Sequence, residues 1–254
     1  MNNIDIKRDN IHGRYGVANK HIARGEILIS EEPYSFVPTD AYLEVCCAYC
    51  GIVNINGTVM TISPDDTVRY CSEKCIINDY NNHMQSAASL KKLSKLGVVG
   101  SGLEPLRLIF KIAGLKKVET KNMSINDNDD HNDIPLLGKL NTFNNIICLE
   151  AAKSFMDPKA IEELNQTAKT ITRIANECKL FIGEAEVLHL LLVIQCNAHQ
   201  ILDDNERAIG LGLFPFTSML NHSCSPNCAH HFEISSNCVP TLIMRAIKDI
   251  NPGS

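Results

Sequence analysis

No stretch of the sequence is long and apolar enough to span a bilayer, and Met1 to Asn10 is polar and charged, with nothing resembling a signal peptide. The expectation is a protein kept in the cytosol or nucleus, with no membrane partner. Basic charge is scarce too: 24 Lys and Arg stand against 29 Asp and Glu, a formal net charge of −5. That leaves no global basic field to supply non-specific affinity for nucleic acid, and no direct sequence-specific contact with nucleic acid is expected. No internal repeat is visible. The cysteine count of eleven is odd, and in a reducing compartment it argues against a disulfide framework and for metal ligation plus buried thiols. What remains is an ordinary globular composition, 44% hydrophobic and 21% charged, able to bury a core as a monomer.

Along the chain, residues from about Ile4 to Val37 alternate short apolar runs with Gly and Pro, which predicts strands joined by turns. Cysteines then cluster from Cys46 to about His83, and the pattern of Cys75 to Leu96 is helical. Leu103 to Leu115 carries Leu103, Leu106, Ile109, Phe110 and Ala113 at the spacing of one helix face, a packing element. Asn122 to Asp133, rich in Asn and Asp, is expected to be a solvated loop without function. Two more helices are predicted, about Pro158 to Leu180 and Glu184 to Leu202, before the Gly-rich Gly210 to Pro215 and a return to strands ending at Thr241 to Ile247.

The spacings Cys47-x2-Cys50 and Cys71-x3-Cys75 supply four thiols in two close pairs, each able to reach one tetrahedral Zn²⁺ from a single turn. Four thiolates close a structural site, and the metal supplies folding free energy that so small a segment cannot draw from a core. Cys46 offers an alternative register with Cys50.

From Gln195 to Cys228 the sequence reads QCNAHQILDDNERAIGLGLFPFTSMLNHSCSPNC, with a Cys-Asn pair, a Gly-x-Gly, an aromatic-Pro and then Asn221-His222-Ser223-Cys224-Ser225-Pro226-Asn227. This run resembles the SET and MYND domain-containing protein family, protein-lysine methyltransferases that use S-adenosyl-L-methionine. The resemblance implies an α+β fold: a β-rich SET fold split by a zinc-binding MYND-like finger and a helical insert. Residues 1–45 would form the first part of the SET domain, 46–87 the finger, 88–190 the helical insert and 191–254 the second part of the core. By the same resemblance Asn197, Asn221 and His222 contact the cofactor. At the other end His12-Gly13-Arg14-Tyr15-Gly16-Val17-Ala18 resembles the family's opening strand and glycine-containing cofactor loop, which carries over to Arg14, Tyr15 and Gly16. The family's Gly-x-Gly keeps only Gly16 here, and Gly13 offers the other glycine after a small shift.

Arg69 to Cys75, with His83 beyond, resembles the second half of a MYND finger, whose usual form has two zinc sites. Here the second cysteine pair is missing, and the position four after His83 is Ala87. Both losses fall on the same site, which implies one zinc at Cys47, Cys50, Cys71 and Cys75 and leaves His83 to pack or hydrogen-bond. The family's catalytic tyrosine and post-SET cysteines are expected beyond Ser254, so no catalytic residue is assigned, and Cys224, Cys228 and Cys238 are read as unligated thiols. The expected function is methyl transfer to a lysine of a histone or non-histone protein. The alternative is a catalytically inactive interaction module whose finger recruits a proline-rich partner.

Overall fold

The computed structural model describes residues 3–10, 13–54, 61–63, 65–96, 102–125, 142–151, 153 and 156–254. His12 and the Asn/Asp-rich stretch from residue 126 onward lie outside them.

The N-terminal run folds into β1 (Ile4–Asp9), β2 (Gly13–Ala18), β3 (Ile27–Glu31) and β4 (Ser35–Pro38). The cysteine region holds the two-residue strands β5 (Thr61–Ile62) and β6 (Arg69–Tyr70), followed by α1 (Glu73–Ser94). Ser72 starts α1 by accepting a hydrogen bond from the Cys75 backbone N–H, the side-chain cap that an orphaned first-turn donor needs. Next come α2 (Glu104–Ile125), α3 (Phe143–Ile147), α4 (Pro158–Glu177) and α5 (Glu184–Asn197). Asp157-Pro158 starts α4, the aspartate accepting from Lys159 N–H and the proline sitting where no helical donor is lost. The chain closes with β7 (Ala198–Leu202), β8 (Ala208–Leu213), β9 (Cys228–Glu233) and β10 (Thr241–Ala246).

Three expectations change. The helix expected from Leu103 to Leu115 runs on to Ile125, into the first residues of the Asn/Asp-rich stretch. It is also buried on every side from Leu108 to Gly114, because α1, α5 and the β4–β8 pair all pack around it. The helix expected to reach Leu202 stops at Asn197, and the next five residues become β7, paired with β8. The positions 87/88 and 190/191, at which the sequence suggested dividing the chain, lie within α1 and α5.

Two antiparallel three-stranded sheets carry the core, in the orders β3-β10-β9 and β4-β8-β7. Phe36 and Phe214 turn into the cluster between the strands, with Ile29, Ile201 and Leu242, whereas their neighbours Val37 and Leu213 turn into the helical cluster with Leu108, Ile171 and Leu190. This is the two-residue alternation of a strand buried on both faces. Asp40, just after β4, sets the start of α2: its carboxylate accepts from the backbone N–H groups of Gly102 and Leu103 and from Arg107.

Candidate functional site

Two places in the molecule gather chemistry. The first is the four-thiol centre. The sulfurs of Cys47, Cys50, Cys71 and Cys75 all lie within 4.8 Å of one another, with Cys50 to Cys71 at 3.4 Å and Cys71 to Cys75 at 3.6 Å. A tetrahedral zinc with Zn–S bonds of about 2.3 Å needs sulfurs roughly 3.8 Å apart, so the donor set fits that ion. Backbone N–H groups of Tyr49, Cys50 and Cys71 point at the Cys47 sulfur, and those of Ile52 and Asn237 at Cys50. The thiol–thiol contact with Cys50 first, and these N–H groups after it, draw the Cys47 pKa below the ordinary thiol range; such donors stabilise a thiolate.

Cys46 is excluded from the cluster. Its sulfur faces the carbonyl oxygen of Gly51 at 3.5 Å, and burial, followed by the neighbouring Cys47 and Cys71, pushes its pKa up to about 12. The register with Cys47 is therefore the one the structure takes. His83 stands apart as well: its Nε2 is 2.8 Å from Asp65 Oδ1, and its ring meets Tyr70 edge-on. Burial alone would raise the Asp65 pKa, but hydrogen bonds from His83, Thr67 and Ser63 outweigh it and hold the carboxyl below its usual value.

The second place is a cavity of about 340 Å³ between the β1–β2 hairpin and the segment after β8. Tyr15, Gly16, Asn221 and His222 line it together, although the chain brings them from opposite ends. Ile22 and Leu28 add an apolar wall. Gly16 is required by packing as much as by any ligand: a Cβ there would stand 2.3 Å from Leu220 Cδ2 and 3.1 Å from Ile4. Gly13 instead begins β2 with φ +66° and nothing within 4 Å of a Cβ, a turn position. Desolvation, and then the nearby Asp9 carboxylate, raise the Tyr15 pKa. The cavity therefore offers an amide, an imidazole and a phenol on an apolar surface, the composition of a small-molecule site.

Arg14 and Asn197 are not among the lining residues. Arg14 donates to the Cys148 carbonyl oxygen at 2.6 Å, and Asn197 Nδ2 donates to those of Glu150 and Val193, both at 2.8 Å. Both side chains hold the segment that follows α3. Cys224 is exposed beside His222 Nε2 at 3.4 Å, and no described group ligates it with Cys228 or Cys238.

The residue that builds this site and carried no motif is Glu31. Its buried carboxylate accepts from Phe216 N–H at 2.7 Å, Thr217 N–H at 2.8 Å and Thr217 Oγ1 at 2.7 Å. These bonds fix the turn from which Leu220, Asn221 and His222 depart. Burial raises the Glu31 pKa, and the three donors pull against that rise. Its cue in the sequence was position alone: Glu31 sits two residues after Ile29 on the inward face of β3.

Histone-lysine N-methyltransferase ASHR1 of Arabidopsis thaliana is 26% identical over 234 residues, covering 91% of this chain and 43% of the relative. Histone-lysine N-methyltransferase SMYD3 of Homo sapiens is 24% identical over 237 residues, covering 90% and 48%. A solved structure of the SET domain of LSMT bound to lysine and AdoHcy aligns with TM-score 0.42 at 10% identity, over 99% of this chain and 48% of that one. The chain thus spans about half the length of the curated relatives it matches. The SET domain model matches residues 13–254, and the chain belongs to the SET-domain family.

Proposed function

We propose that this chain binds S-adenosyl-L-methionine in the 340 Å³ cavity and forms part of a protein-lysine methyltransferase acting on a histone or non-histone protein. The observation that carries the reading is the convergence of Tyr15, Gly16, Asn221 and His222, drawn from two distant segments, on one cavity. Such a cofactor supplies an electrophilic methyl group on a sulfonium, attacked in line by a neutral amine. The residues bind and orient. The Asn221 amide, as donor and acceptor, suits an adenine edge or the amino-acid end, and the apolar wall at Ile22 and Leu28 excludes water from the ring. The relatives' names, histone-lysine N-methyltransferases, support the substrate class. For the four thiols we propose a structural zinc. For the finger we propose a proline-rich partner: Ile77, Tyr80 and Met84 form an exposed apolar stripe at helical spacing on α1, the kind of aromatic-containing surface that extended proline-rich segments dock on.

Calorimetric titration of the zinc-loaded chain with S-adenosyl-L-methionine, beside a methyl-transfer assay on histones and cell lysate, tests the reading. Saturable binding with a stoichiometry near one supports it, and absence of binding overturns it. Binding without transfer would retain the cofactor site and favour the interaction-module reading.

A further inference from the structure

The β9–β10 hairpin connects the two chemical centres. At one end of β9, Asn227 and Cys228 line the cavity, and Asn227 is held there by Ile247, whose N–H donates to its carbonyl oxygen at 2.9 Å. A six-residue strand is about 20 Å long, and at its far end the connecting loop lies against the four-thiol centre. Asn237 makes the contact three times over: its backbone N–H points at Cys50, its Oδ1 accepts from Ser72 Oγ at 2.6 Å, and the Cys75 sulfur stands 3.7 Å from the same Oδ1. Its φ of +65° is a left-handed conformation that Asn adopts more readily than most residues. The finger approaches the same loop so closely that a Cβ on Gly51 would stand 2.9 Å from the Pro240 ring.

We infer that Asn237 is a positioning residue of the four-thiol metal site, and that through it metal occupancy holds the β9–β10 hairpin in the register that shapes the cavity. The chemistry of the amide supports this assignment. With a thiol at Cys75 the sulfur can donate to Oδ1, but a metal-bound thiolate only accepts. Turning the amide by 180° brings Nδ2 onto both the thiolate and Ser72 Oγ and leaves Oδ1 to accept from Ser236, whose Oγ is 3.1 Å from the present Nδ2 position. Asparagine can thus offer the sulfur an acceptor in one orientation and a donor in the other. Aspartate, of the same shape, has no donor and sets a negative charge against the sulfur.

The metal half of this inference stands apart from the cofactor reading; only its meaning for ligand binding rests on that reading. The test uses the zinc-loaded chain with Asn237→Asp, and with Asn237→Gly as a second variant that keeps the left-handed backbone. Zinc release to a chromogenic chelator should be about tenfold faster or more for the Asp variant, the effect of losing an outer partner of a metal ligand, and intermediate for Gly. Release at the wild-type rate from both overturns the assignment. Hydrogen exchange of the peptide spanning Cys228 to Glu233 should speed up when wild-type zinc is stripped and should be fast in the Asp variant. Unchanged exchange at the Cys228 end overturns the coupling. Neither readout requires the cavity to bind S-adenosyl-L-methionine, so failure here is distinguishable from failure of the proposed function.

Discussion

Glu31→Gln is the substitution that isolates how the cavity is held in shape. In the native protein two carboxylate oxygens serve three donors, Phe216 N–H, Thr217 N–H and Thr217 O–H. A carboxamide has one oxygen, and whichever way it is turned its NH₂ faces a backbone N–H. Stranding one buried backbone donor costs about 1–3 kcal/mol, so the variant should lose about that much stability in guanidinium titrations run with zinc present. The dependence on pH gives a sharper check. Burial raises the folded-state pKa of Glu31 above the unfolded value of 4.5, so the native state holds the proton more tightly. Its favourable contribution is full below that unfolded value and is lost as pH rises through the folded one. Glutamine has no such term, and protonation of the zinc thiolates is common to both proteins and cancels in their difference. The stability gap between wild type and variant should therefore be widest below pH 4.5 and narrow toward neutrality. A gap that widens with pH would mean that the three donors outweigh burial and would refute an upward shift of the Glu31 pKa. An unchanged midpoint at every pH would refute the three-donor geometry itself.

Two further substitutions test the remaining centres. Cys47→Ser should abolish the zinc, about one per chain by metal analysis, whereas Cys46→Ser should leave it in place because that sulfur faces Gly51 O instead of the cluster; loss of metal in the Cys46 variant, or two zincs in the wild type, would contradict the single four-thiol site. Gly16→Ala places a Cβ 2.3 Å from Leu220 Cδ2, so Leu220 must shift beside the cavity, and affinity for S-adenosyl-L-methionine measured by calorimetry should fall by about tenfold, equivalent to roughly 1.4 kcal/mol, with equal affinity counting against the cavity as the site.

The elements legible in the sequence are those whose signals are local. Ser72 and Asp157-Pro158 announce α1 and α4 because a helix start is satisfied by its own neighbours. The thiol pairs are legible because zinc ligation demands short spacings. The break at Asn197 is different. From Val187 to Leu202 no Gly or Pro interrupts the run, and Ala198 to Leu202 becomes a strand only because Leu213 and Gly210 lie opposite Ala198 and Ile201; pairing with a distant strand overrides local preference. Glu31 and Asn237 are hidden for the same reason, since each acts on partners more than 160 positions away. Arg14 and Asn197 show the converse: motif similarity marks them, and they lie outside the cavity lining, one Arg14 N–H donating to the Cys148 carbonyl and the Asn197 amide to those of Glu150 and Val193.

The sheet orders explain why both ends of the chain have to meet before the cavity exists. In β3-β10-β9 and in β4-β8-β7 the middle strand comes from the C-terminal segment, and the N-terminal segment contributes one edge to each. Without β3 and β4, strands β10 and β8 would present unpaired backbone groups along one side, a template for association with other chains. Glu31 lies at the end of β3 and holds the turn leading to Asn221, so the pairing that closes the first sheet also builds the cavity wall. The long interruption between β4 and β8 adds little to the thermodynamic cost of closure, because loop entropy grows only logarithmically, about 0.6 kcal/mol per doubling of length. Its cost is kinetic, through contacts distant in sequence. An insert that orders itself locally, by gathering the four thiols and by α1 packing on α2, shortens the effective separation of the two ends.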